Sequence, residues 1–248
     1  MKLLLLDVET SPNTAFVWSL WKENIPLARL IETSKVLCWS AKLYGEKKVM
    51  FDSTFHSSPN KMLFGIHDLL NEADAVVHYN GQNFDIPVLQ REFLLYGIRP
   101  PAPYKQIDLL QVVRKQFRFV SNKMAHVSKS LGIEGKANDM DFTMWINCMA
   151  NDPAAWKQMK AYNINDVLVL EKLYDKLMPW IRSHPNFGLY RNGEEVCPHC
   201  GGNHLQRRGY AFTNALKYIR LQCQGCGNWL RSKSPVDVDK KAKVTNIL

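Results

Sequence analysis

The chain has 248 residues, 46% of them hydrophobic, and a formal net charge of +9 at pH 7. It is long enough to bury one good-sized core and carry a small appendage, and it contains no repeat, low-complexity block or membrane-length apolar run, which argues against solenoid, fibrous and helical membrane-spanning classes. Met1-Lys2 and the four leucines that follow look like the start of a secretory leader, but the apolar stretch breaks at Asp7, short of the roughly seven residues a leader core needs, so a cytoplasmic location is expected.

Leu3-Leu4-Leu5-Leu6 is a continuous apolar run and reads as a strand buried on both faces. It ends in Asp7-Val8-Glu9-Thr10. Side chains alternate along a strand, so Asp7 and Glu9 share one face and Val8 takes the other, which offers two carboxylates to a divalent cation. On its own such a pair is more commonly the polar end of a strand. Residues 36–44 and 49–51 read as strands joined by Gly45-Glu46-Lys47, and residues 61–71 as a helix after Ser57-Ser58-Pro59.

A further apolar stretch, Ala75-Val76-Val77-His78, runs through Tyr79-Asn80-Gly81-Gln82-Asn83 into Phe84-Asp85-Ile86-Pro87, where strand is expected to become helix. Asn83 is the expected cap, Pro87 fits the first turn and Gly97 supplies the stop. Asp85 is then either a metal ligand or a first-turn acid favoured by the helix dipole. Asp108, after Gln106-Ile107, is a spare acid near a strand end and is left outside the metal site. A long helix is expected over about residues 153–178, where Val167, Leu170, Leu173, Tyr174 and Leu177 recur at helical spacing. Tyr162 and Asp166 are four apart and share one of its faces, so a carboxylate and a hydroxyl can converge on one point.

Together the three motifs resemble those of the DEDD superfamily of 3′→5′ exonucleases, and the tyrosine of the third resembles the DEDDy branch. The likeness is in particular to the proofreading exonuclease domains of family B DNA polymerases, whose Asp-x-Glu-Thr, Asn-x3-Phe-Asp and Tyr-x3-Asp motifs are matched by Asp7 to Thr10, Asn80 to Asp85 and Tyr162 to Asp166. It covers roughly residues 1–180. The resemblance implies an α/β fold, a ribonuclease H-like mixed sheet flanked by helices, and two Mg²⁺ or Mn²⁺ ions that activate a water and neutralise the pentacovalent phosphate. By the same resemblance Asp7 bridges both ions, Glu9 and Asp166 bind the ion carrying the attacking water, and Asp85 holds the second ion largely through water. Tyr162 orients the water, and Thr10, Asn80 and Phe84 contact the terminal nucleotide. Trp18 and Trp21 either wedge against the terminal base or enter the core, as large aromatics usually do. Arg114, Lys115 and Arg118 either line the strand path or face solvent.

After the long helix, residues 183–196 read as a turn-rich linker closing a first domain of residues 1–182. Beyond it, Cys197-Pro198-His199-Cys200 and Cys223-Gln224-Gly225-Cys226 form two Cys-x-x-Cys knuckles separated by twenty-two residues, each followed by glycine. Cys197, Cys200, Cys223 and Cys226 therefore read as the ligands of one structural Zn²⁺ in a small C-terminal zinc ribbon over residues 197–234. Two disulfides or a redox pair are the rival readings, but no βαβ pattern surrounds either knuckle and no export signal implies an oxidising compartment. His199 and His204 are not needed as ligands, and Cys38 and Cys148 read as buried free thiols. Residues 197–248 hold nine Lys/Arg against Asp237 and Asp239, a balance of +7, and residues 235–248 read as a flexible basic tail. Arg207, Arg208, Lys217 and Arg220, interleaved with Tyr210, Phe212, Tyr218 and Trp229, suit phosphate contact with base stacking.

The expected function is a metal-dependent 3′→5′ exonuclease acting on single-stranded DNA or frayed DNA ends, with the ribbon holding the nucleic acid. The alternatives are a ribonuclease H-like structure-selective endonuclease, a 3′→5′ exoribonuclease, and a non-catalytic zinc-ribbon DNA-binding adaptor. Four carboxylates that repel one another without metal argue against the adaptor.

Overall fold

The computed structural model describes residues 1–133, 135, 141–190 and 195–236, so most of the basic tail, from residue 237 on, lies outside the described residues. The chain divides into two compact units, Lys2–Asp175 and Lys176–Leu248, with Met1 assigned to the second.

In the first unit the elements are β1 (Leu3–Thr10), β2 (Thr14–Ala15), β3 (Leu30–Glu32), β4 (Val36–Leu43), β5 (Val49–Ser53), α1 (Pro59–Glu72), β6 (Ala75–His78), α2 (Asp85–Leu95), β7 (Lys105–Asp108), α3 (Leu109–Gln116), α4 (Met124–Ser130), α5 (Thr143–Met149) and α6 (Pro153–Leu177), which runs on into the second. Five strands form one mixed sheet in the order β5-β4-β1-β6-β7. β4 lies antiparallel to β1 and to β5, while β6 runs parallel to both β1 and β7. The apolar run Leu3 to Leu6 is fully buried because β1 is the central strand of this sheet.

Alternation along β1 decides what each face holds. Leu4, Leu6 and Val8 enter one core cluster with Trp39 of β4, Met62, Leu63, Ile66 and Leu70 of α1, and Ile86, Leu89 and Phe93 of α2. Cys38 pairs across the strands with Glu9 and so shares the opposite face with the acids. There Leu37 and Cys38 pack with Met144 and Cys148 of α5 and with Ala155, Trp156 and Met159 of α6. α6 starts where Asp152 accepts the Ala154 N–H at 3.0 Å. Its buried positions Trp156, Met159, Asn163, Val167, Leu170 and Tyr174 recur every three or four residues, so the stripe that binds the sheet also carries Asn163 and Asp166 inward.

Helix ends follow their local chemistry with one exception. Ser58 caps α1 through the Lys61 N–H, and Pro59 takes its first position. α2 stops at Gly97, whose φ of +68° lies in the left-handed region that glycine takes without strain, and the Ile98 N–H returns to the Phe93 carbonyl at 2.8 Å. The exception is Asn83, which does not cap α2: Phe84 is the cap residue and contributes no side-chain bond. The turn is carried by the main chain instead, with the Asn83 and Phe84 N–H groups donating to the Asn80 carbonyl at 3.0 and 3.1 Å and the Ile86 N–H to Gly81 at 2.9 Å. Trp18 and Trp21 stay out of the core, 88% and 81% exposed on the connection that holds the β2–β3 pair. Cys38 and Cys148 are buried free thiols.

The second unit contains β8 (Leu205–Phe212), β9 (Lys217–Cys223) and β10 (Trp229–Arg231) in an antiparallel sheet ordered β10-β9-β8. It also takes in residues 183–190, part of the segment read from the sequence as a linker. A short helical turn, Phe187–Tyr190, is tied to the first knuckle by a 2.7 Å bond from the Phe187 N–H to the Pro198 carbonyl, and His184 stacks on Phe187.

Candidate active site and zinc knuckles

β1 delivers Asp7 and Glu9, and α6 delivers Asp166, so that one carboxylate oxygen from each lies within 4.8 Å of the others. Three carboxylates this close repel one another. Burial first, then the charges of Glu9, Asp85 and Asp166, hold the Asp7 pKa well above the ordinary carboxylate range. One contact opposes this: Asn163 Nδ2 donates to Asp7 Oδ2 at 2.6 Å. Asn163 is fully buried, and its Oδ1 lies 3.9 Å from Cys38 Sγ.

Asp85 stands outside that tight group of three and is positioned separately. Its Oδ1 accepts the Val8 N–H at 2.9 Å, which locks the start of α2 to the middle of β1. Burial pushes its pKa up to about 7, against the lowering effect of that bond. Asp7, Glu9, Asp85 and Asp166 are hard oxygen donors of high negative charge, the donor chemistry that suits Mg²⁺ or Mn²⁺.

Tyr162 lies one turn before Asp166, with the Trp145 ring edge-on at 6.0 Å between centroids. Burial and the charges of Asp166, Glu9 and Asp7 raise its pKa far above that of a free phenol. The hydroxyl is therefore protonated at neutral pH and available as a hydrogen-bonding group. Thr10, Ser11, Pro12, Phe142 and Trp145 line an open pocket of about 230 Å³ at the end of β1. Asn80, Phe84 and Asp85 lie on the loop and helix start after β6; because Leu5 pairs with Val77, that loop leaves the sheet beside the acids of β1. Phe84 is 42% exposed. Arg114, Lys115 and Arg118 are exposed around the end of α3.

Two buried polar residues escape a motif search. Asn163 is inside the third motif, and its signal is spacing: a polar side chain three residues before Asp166, on the apolar stripe of the helix. Asp108 gave none beyond its place at a strand end. It caps α3 and accepts the Asn80 N–H.

In the second unit the four knuckle cysteines converge with all sulfurs within 4.8 Å. Cys197 and Cys226 Sγ are 3.6 Å apart, as are those of Cys200 and Cys223. A tetrahedral ion with Zn–S bonds of ~2.3 Å needs sulfurs about 3.8 Å apart, so the cage fits zinc. Gly201 and Gly227 follow the knuckles at φ +71° and +79°, where a Cβ would strain the turn. His199 faces away, its Nδ1 3.1 Å from the Met178 carbonyl, and His204 is exposed.

The basic residues expected to act together divide between the two faces of the sheet. Arg207 pairs with Leu221, and Lys217 with Phe212, so both share a face with Tyr210; the Lys217 ammonium lies 3.9 Å over the Tyr210 ring. Arg220 is on the other face with Trp229, and Arg231 lies over Tyr218 there. A bulge between Arg207 and Tyr210 turns the Arg208 carbonyl to accept Arg220 Nε at 2.8 Å.

A central strand bearing two acids in a five-stranded mixed sheet, met by a third acid from a packed helix, defines a ribonuclease H-like α/β protein. A family model described as RNase_H superfamily matches residues 32–178, more than half of the chain, and the chain belongs to that superfamily. Membership implies a nuclease, a phosphodiester hydrolase with nucleic acid as substrate and divalent metal as cofactor. Among solved structures, the family B DNA polymerase from the hyperthermophilic archaeon Pyrobaculum calidifontis matches with a TM-score of 0.54 at 17% identity, over 72% of this chain and 24% of the polymerase. That likeness is one of fold. No curated protein matches the chain. Among the described residues, no helix is long and apolar enough to cross a membrane.

Proposed function

We propose that the chain is a 3′→5′ exonuclease that removes mononucleotides from single-stranded or frayed DNA ends by metal-dependent hydrolysis. The observation that carries this reading is the convergence of Asp7, Glu9 and Asp166 within 4.8 Å, with Asp85 fixed to the same strand through Val8. When bound between these carboxylates, Mg²⁺ or Mn²⁺ would supply Lewis-acid stabilisation of the attacking and leaving oxygens. Water attacks phosphorus, the P–O3′ bond breaks, the shortened strand leaves as a 3′-hydroxyl that takes up a proton, and the released product is a 5′-mononucleotide. Asn163 keeps the Asp7 carboxylate turned toward the cluster, and Tyr162 offers a protonated hydroxyl to orient the water. Thr10, Asn80 and Phe84 are assigned to the terminal nucleotide.

Residues 1–182 form the catalytic domain in this reading, and residues 197–234 a zinc ribbon that holds the nucleic acid. Support for that role is charge: Arg207, Arg208, Lys217, Arg220, Arg231 and Lys233 face only Glu195 among the described residues from 195 on. Polarity is the test. A single strand labelled at its 3′ end should release labelled mononucleotide from the first turnover, while the 5′-labelled strand shortens by one residue at a time. Single internal cuts, on branched or on linear substrates, would overturn the assignment.

A further inference from the structure

Between β6 and β7 a buried polar group ties the Asn80 loop to the sheet. Asp108 ends β7 directly opposite His78, the last residue of β6, and the two are 6% and 0% exposed. One carboxylate oxygen does two jobs: Asp108 Oδ1 accepts the Asn80 N–H at 2.9 Å and the Leu110 N–H at 3.0 Å. The first bond holds in place a residue at φ +71°, the left-handed region that asparagine adopts more readily than most side chains. The other side of the loop is pinned by packing. A Cβ on Gly81 would fall 2.4 Å from the His78 ring, so the main chain lies directly on the imidazole. From there the chain has only three residues to Phe84 before Asp85 reaches across to the Val8 N–H.

We propose that Asp108 is a positioning residue: its carboxylate anchors the left-handed turn at Asn80 and thereby sets where Asn80 meets the nucleic acid and where Asp85 meets β1. This role rests on the assignment of Asn80 and Asp85 to the nuclease site. It depends on the acceptor oxygen and not on the charge. Asp108 Oδ2 lies 3.8 Å from His78 Nδ1, and neither atom has a hydrogen-bond partner among the described residues. His78 Nε2 lies 3.1 Å from the Gln106 side-chain oxygen, which suits the tautomer protonated at Nε2 with a lone pair on Nδ1. An asparagine at 108 keeps Oδ1 for the two N–H groups and turns an amide N–H toward that lone pair.

The experiment compares Asp108→Ala and Asp108→Asn in the full chain, well below the unfolding temperature. Amide hydrogen exchange reads the anchor without reference to activity: the Asn80 amide should lose protection in Asp108→Ala and retain it in Asp108→Asn. Kinetics on a labelled single strand read its consequence. Asp108→Ala should lower kcat/KM by about 10-fold or more, from the loss of substrate orientation, while Asp108→Asn stays within about 3-fold of wild type, since the oxygen that orients the loop remains. Asn80→Gly separates positioning from general damage, because glycine takes φ +71° without strain. In that background Asp108→Ala should cost much less than it does alone. Equal loss in Asp108→Asn and Asp108→Ala overturns the proposal, as do full additivity with Asn80→Gly and unchanged Asn80 protection in Asp108→Ala. A wild-type chain that fails to cut any strand would refute the nuclease reading instead, and the exchange measurement would still judge the anchor.

Discussion

Replacing Asp7 by Asn should stabilise the metal-free protein and abolish both its activity and its response to metal. The carboxylate of Asp7 lies within 4.8 Å of those of Glu9 and Asp166, and two unit charges that far apart repel by roughly 3 kcal/mol at an effective dielectric constant of about 20. Burial and the charges of Glu9, Asp85 and Asp166 raise the Asp7 pKa, which already relieves part of that repulsion in the wild type, so the substitution should gain about 1–2 kcal/mol. For a unit of this size that is an increase of about 2–8 °C in Tm, at ~2–4 °C per kcal/mol. The substitution keeps volume, and the new amide oxygen can still accept from Asn163 Nδ2. Calorimetry in EDTA and then in Mn²⁺ measures both effects. Wild type should gain Tm on adding the ion, whereas Asp7→Asn should start higher, gain little and digest nothing. A variant that melts below wild type in EDTA, or that keeps the full Mn²⁺ increment and wild-type cleavage, would refute the assignment of these carboxylates to a shared ion.

Tyr162→Phe keeps the ring against Trp145 and removes only the hydroxyl, so single-turnover cleavage should slow on the order of 10²-fold with little change in Tm; an unchanged rate would make the ring purely structural. Metal-free stability should fall as pH rises between 3.8 and about 7, because Asp85 retains a proton in the folded chain that the unfolded chain has already released. The stabilisation by Mn²⁺ should grow over the same interval, since the ion requires the deprotonated acids, and parallel melts with and without metal check both slopes. Elemental analysis should find one zinc per chain, lost in the Cys197→Ser, Cys223→Ser double variant; zinc retained at full occupancy after both substitutions would rule out the four-cysteine cage.

What was legible in the sequence was local. Four leucines ending in Asp-x-Glu gave both the central strand and the sorting of its acids to one face, because strand alternation needs no partner to be read. The Ser58-Pro59 start of α1, the Gly97 stop of α2 and the paired knuckles are likewise set by residues within a few positions of one another. What failed depended on register across the chain. Asn83 looked like a cap, but bonds to the Asn80 and Gly81 carbonyls made one unnecessary. Asp108 looked spare until the β6–β7 pairing set it against His78, 30 residues earlier in the chain. Arg207 and Arg220 read from the sequence only as basic residues among aromatics, and which face of the sheet each takes is set by strand pairing and the bulge after Arg207. Trp18 and Trp21, left open between a base contact and a core role, lie exposed on the connection that carries them.

Single-turnover digestion of a 5′-labelled single strand by wild type and by Asp166→Asn, each with Mg²⁺ and with EDTA, tests most directly that the acids of β1 and α6 perform hydrolysis. Wild type with Mg²⁺ should yield a ladder descending from the 3′ end, and the other three reactions should leave the strand intact. Cleavage that persists in EDTA, or in Asp166→Asn at the wild-type rate, would contradict a metal-dependent site built on Asp7, Glu9 and Asp166.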